Sequence, residues 1–265
     1  MKSEIGPMTA QISLTLPLRV LCLIVIGALT AGATLSGPRT DEPPAALRSK
    51  LIVIGFVGFI LKHDDLRRGE VQLAARLRNE FPDEVVAQVF ANTKCGQAHS
   101  LILHELNTLH AKHLSQEQKS KARIIIYGHS WGASEAVALA GQLKKEGIPV
   151  LLTAQVDSVM KIGEDDGTIP SNVREAVNFF QRDGALRGRS SIHAEDPSRT
   201  KILGNIRMDY TAHPITCPNY PWFELTVAKT HSQIECDPAV WGQIESMIRD
   251  KIAMAPPASE ADLVE

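Results

Sequence analysis

Residues 127–135 read YGHSWGASE, directly after the run KARIII. A serine that attacks a carbonyl must project its hydroxyl clear of the sheet, and a sharp turn from strand to helix achieves this. Such a turn packs too tightly for ordinary side chains on either side of the nucleophile. Gly128 and Gly132 stand at those two positions around Ser130, and Ala133 and Ser134 keep the following helix slim. A helix start also presents free N–H groups and the positive end of the helix dipole, both of which favour an oxyanion. The backbone N–H of Trp131 would be one such donor. The competing reading is a glycine-rich turn in which Ser130 caps the helix.

The surrounding elements must position that serine. KLIVIGFVGF (50–59) is a continuous apolar run rich in β-branched residues and reads as a strand buried on both faces. VVAQVFAN (85–92), RIIIYGHS (123–130), PVLLTAQVDSV (149–159), KILGNIRM (201–208) and WFELTVAK (222–229) read as further strands. Helical spacing follows over 65–80, with Val71, Leu73, Ala74 and Leu77 apolar and Pro82 just beyond, and over 97–113. GASEAVALAGQLKKEG (132–147) is a helix stopped by Gly147, and 238–252 is an amphipathic closing helix. Residues 160–200 are long and polar. Within them, Val173, Val177 and Phe180 space as a short helix, so the segment reads as a small lid-like insertion. Strands alternating with helices imply an α/β fold, a mostly parallel central sheet covered by helices on both faces, with active groups at the carboxyl ends of the strands.

The strand, the GHSWG turn and the small-residue helix, with these elements, give residues 50–253 a resemblance to the α/β-hydrolase superfamily, and within it to lipases and esterases. That resemblance implies a serine hydrolase acting on carboxylic esters, with the triad in the chain order Ser, acid, His. His231, in AKTHSQIECDP before the closing helix, fits the late histidine better than His193 or His213. His129 would point away from Ser130 at a sharp turn. The acid is Asp157, at the end of VLLTAQVD and in a stretch similar to the acid-bearing segment of some lipases. Asp209, one strand later, is the alternative. A second oxyanion donor should come from GFVGF, where Gly55 and Gly58 let the backbone approach the site and the N–H of Phe59 is the choice. A thioesterase or amidase would use the same triad, and a silent hydrolase fold could serve as a binding module.

Other features bound the reading. The 265 residues are 44% hydrophobic, 22% charged and 5% aromatic, with a formal net charge of −2, so nothing points to nucleic acid as a partner. The expected partner is a small-molecule ester, lipids included. His110 and His113 are three apart and the cysteines lack Cys-X-X-Cys spacing, so no metal site is expected, and no nucleotide fingerprint or cofactor is expected either. Residues 1–35 carry Arg19 before an apolar run and the small residues Ala31 to Ala33, and read as a secretory signal peptide. The alternative is a membrane anchor through residues 18–35. Residues 36–49 read as a linker and 254–265 as a frayed tail. The protein is thus expected to be secreted or periplasmic, where Cys217 and Cys236, which flank one loop region, would pair and leave Cys95 free.

Overall fold

The computed structural model describes residues 50–59, 61–107 and 114–254. The signal or anchor, the linker and residues 255–265 of the tail lie outside the described residues. The elements run β1 (Leu51–Val57), α1 (Gly69–Glu80), β2 (Val85–Ala91), α2 (Cys95–Leu106), α3 (Gln116–Ser120), β3 (Ile124–His129), α4 (Trp131–Lys145) and β4 (Val150–Val156). They continue with β5 (Thr168–Ile169), β6 (Val173–Gln181), β7 (His193–Ala194), β8 (Lys201–Met208), α5 (Trp222–Val227), α6 (Lys229–Cys236) and α7 (Pro238–Ala253).

Six strands form one sheet in the order β2-β1-β3-β4-β6-β8, and every pairing is parallel. The short strands β5 and β7 pair separately. Alternate residues of each central strand enter different cores, which is why the strands are continuously apolar. Val53, Ile125 and Leu152 pack with Leu73 and Leu77 of α1 and Ile244 and Ile248 of α7. Ile52, Ile124 and Ile126 pack on the opposite face with Ile102 of α2 and Leu139 and Leu143 of α4.

Two segments differ from the reading of the sequence. Residues 173–181 form β6, hydrogen-bonded between β4 and β8, not a helix of a lid. Val173 and Val177 do fit a helical period, but the residues buried here are Val173, Ala176, Val177, Asn178, Phe179 and Gln181, and a short β-branched and aromatic run favours a strand. Residues 173–181 of the 160–200 stretch therefore supply a strand of the main sheet. Residues 222–229 are the reverse case: they form α5 and the start of α6, with Pro221 at the N-cap. Trp222, Phe223 and Val227 stay exposed, so their strand-like composition has no second sheet face to fill.

Candidate active site

Ser130 sits at the carboxyl end of β3, between β1 and β4 in the sheet. Its backbone is at φ 55°, ψ −124°, and its N–H is held by the carbonyl of Val156 at 2.9 Å. A non-glycine residue in such a region costs about 1–3 kcal/mol, so the surroundings must enforce it. The tightness of the turn explains both flanking glycines. A Cβ at position 128 would lie 2.4 Å from the backbone carbonyl carbon of Gly132, and one at position 132 would lie 2.2 Å from the carbonyl oxygen of Phe56. The Ser130 side chain makes no capping hydrogen bond to α4, so capping does not account for its presence.

Asp157 follows β4 directly, with φ 43° and a fully buried side chain. Four donors converge on its carboxylate. Oδ1 accepts from the backbone N–H of Gln181 at 3.2 Å and of Gly188 at 3.0 Å. Oδ2 accepts from Gln181 Nε2 at 2.8 Å and pairs with His231 Nδ1 at 2.6 Å. With Nδ1–H turned to the carboxylate, His231 Nε2 is left as a proton acceptor. His231 is buried in the first turn of α6, not in a loop as its sequence context suggests. Asp209 is exposed and accepts from the N–H groups of Thr211 and Ala212, holding its own turn. His193 and His213 are exposed as well.

The two expected oxyanion donors lie beside the serine. Trp131 is the first residue of α4, so its N–H has no acceptor within the helix. The loop after β1 presses on the turn: a Cβ on Gly58 would be 2.9 Å from the Cβ of Ser130. The peptide that carries the Phe59 N–H is fixed by a bond from Leu61 N–H to the Gly58 carbonyl at 3.2 Å, and Phe59 has φ 29°. The exposed Phe59 ring lies 5.0 Å from the Trp131 ring.

Sequence reasoning missed the polar layer behind the histidine. His129 is buried with its ring 4.4 Å from that of His231. Burial, followed by the nearby His231 and Arg68, holds its pKa well below the usual imidazole value, so it stays neutral. Arg68 donates to both carboxylate oxygens of Glu224 at 2.8 Å and to Glu235 at 3.0 Å, beneath the ring of Tyr220. Glu235 stands four residues after His231, a signal that speaks only once the segment is read as a helix. Nearby, Cys217 and Cys236 form a disulfide and Cys95 is free.

The parallel sheet, its helices on both faces and the strained strand-to-helix turn make an α/β-hydrolase fold. No family model and no curated protein matches the sequence. Solved structures do resemble it. A cutinase-like protein from Cryptococcus sp. matches with a TM-score of 0.41 and 12% identity, covering 81% of this chain and 99% of its own. A thermostable esterase from Pseudomonas putida matches with a TM-score of 0.41 and 14% identity, over 80% of this chain and 77% of its own. An esterase/lipase from an uncultured bacterium matches with a TM-score of 0.40 and 10% identity, over 79% of each chain.

Proposed function

We propose that the protein is a serine hydrolase that cleaves carboxylic esters through an acyl-enzyme. The observation that carries this reading is the strained, uncapped Ser130 at the end of β3, one strand away from an Asp157 bonded to His231 at 2.6 Å. Ser130 Oγ attacks the carbonyl carbon as His231 Nε2 takes its proton. Asp157 holds the Nδ1–H tautomer and stabilises the imidazolium that forms. The N–H groups of Trp131 and Phe59 receive the developing oxyanion, each contributing about 10²–10³ in rate. His231 returns the proton to the leaving alcohol, and water then repeats the sequence on the acyl-enzyme. Phe59, exposed beside Trp131, supports a substrate with an apolar acyl or alcohol group, lipid esters included.

We place the protein in an oxidising compartment, secreted or periplasmic, with the Cys217–Cys236 disulfide in support and residues 18–35 as the alternative anchor. Steady-state rates on p-nitrophenyl esters of graded acyl length, beside matched thioesters and amides, test the reaction class. Oxyester turnover that is lost in Ser130→Ala supports the reading. Turnover of the thioester or amide alone replaces the substrate class, and a folded protein inert on all three refutes hydrolysis.

A further inference from the structure

Behind His231, three residues from distant parts of the chain converge: Glu70 near the start of α1, His129 at the end of β3 and Glu235 in α6. One donor atom from each lies within 4.8 Å of the others, and all three residues are at most 2% exposed. His129 Nδ1 is 3.9 Å from Glu70 Oε1 and 3.9 Å from Glu235 Oε2, too far for hydrogen bonds. Both carboxylate oxygens of Glu70, both ring nitrogens of His129 and Oε1 of Glu235 have no hydrogen-bond partner among the described residues. Polar atoms this deeply buried are almost always satisfied by something.

The Arg68 guanidinium pairs with Glu224 and Glu235, and its Nε lies 3.6 Å from Asp65, which is also paired with Arg67. The donors are also held in place. Tyr127 OH donates to the carbonyl of Glu70 at 2.8 Å, and Trp241 Nε1 donates to that of Glu235 at 2.5 Å. A Cβ at Gly69 would lie 1.9 Å from Trp241 Nε1, so α1 is pinned to α7 just before Glu70. Arg68 holds the Glu235 carboxylate through Oε2, the same oxygen that lies 3.9 Å from His129 Nδ1, while Oε1 has no partner among the described residues.

We propose that Glu70, His129 and Glu235 form a buried divalent-metal site that takes zinc. One imidazole and two carboxylates suit zinc, whose tetrahedral sites place such donors about 2.1 Å from the metal and so about 3.4 Å from one another. The two His129–carboxylate spacings of 3.9 Å must close by about half an ångström, and the two carboxylates, within 4.8 Å of each other, by up to about 1.4 Å. The ion would tie α1, β3 and α6 together behind His231, and it would be acquired as the chain folds, because the donors are enclosed.

The test is refolding of the full chain from guanidinium and chelator, with and without zinc chloride, followed by metal analysis and thermal unfolding. The site predicts about one zinc per chain and a Tm that rises with zinc concentration. Glu70→Gln and Glu235→Gln should lose the zinc, while Cys95→Ser should keep it. Cobalt(II) in its place should give the visible spectrum of a tetrahedral site. Should the carboxylate variants fail to fold, zinc K-edge absorption of the wild type decides: oxygen donors with one imidazole support the site, and sulfur or several imidazoles overturn it. A wild type that refolds without zinc and ignores added zinc overturns it as well, leaving bridging water or a shared proton between the carboxylates. These readouts follow bound metal, so they stand apart from the hydrolase reading.

Discussion

Asp157→Asn separates a catalytic acid from a structural one. The amide must place its NH₂ at one of two positions. At the Oδ1 position it would face the backbone N–H groups of Gln181 and Gly188, which cannot turn away. At the Oδ2 position it would face Gln181 Nε2 and His231 Nδ1. Reversing Gln181 to relieve this would break its bonds from Asp183 N–H at 2.9 Å and Gly184 N–H at 3.2 Å, and its bond to the Leu186 carbonyl at 2.8 Å. The amide therefore donates to Nδ1 and drives the His231 proton onto Nε2, where the serine's proton must go.

The expected loss is about 10⁴ in kcat/KM, or about 5.4 kcal/mol of transition-state stabilisation. Loss of the charge-assisted bonds costs about 2–4 kcal/mol of stability, less than a typical domain possesses, so the variant should fold. The assay is p-nitrophenyl butyrate hydrolysis, with circular dichroism and thermal unfolding as the check on folding. A folded Asp157→Asn variant within about tenfold of wild type would refute the tautomer argument.

Three further outcomes follow from the same structure. Gly132→Ala, whose Cβ meets the Phe56 carbonyl at 2.2 Å, should cost about 3 kcal/mol or more, whereas Gly242→Ala, in open space on α7, should gain about 0.5–1 kcal/mol. Thermal unfolding of the pair checks this, and equal Tm values would contradict it. Burial, with Glu135 beside it, pushes the Cys95 thiol up to about 12. The thiolate is the reactive form, so raising the pH to about 8.5 ionises an unfolded cysteine but not this one, and alkylation in the folded protein should be on the order of 10³-fold slower. Reduction of Cys217–Cys236, 19 residues apart, should cost about 3 kcal/mol and loosen α6 with His231; unchanged Tm and activity in reductant would count against that linkage.

The serine turn was legible because its constraints are local: a buried strand, two glycines that close contacts demand, and a helix of small residues. Asp157 was legible as the polar residue that ends an apolar strand, and His231 through the chain order that the resemblance implies. The helix around His231 was not, because Trp222, Phe223 and Val227 look like strand residues until their exposure is known. β6 was hidden by Val173 and Val177, whose four-residue spacing suits both a strand face and a helix face. The Glu70–His129–Glu235 cluster has no spacing to read at all, since packing of α1 against α7 and of α6 behind β3 assembles it.

Labelling of the purified protein by a fluorophosphonate, with the adduct mapped by mass spectrometry, tests the central claim most directly. The account predicts rapid modification of Ser130, abolished in Ser130→Ala and His231→Ala, slowed in Asp157→Asn and unchanged in Asp209→Asn. A folded wild type that resists the probe, or an adduct on a different serine, would contradict it.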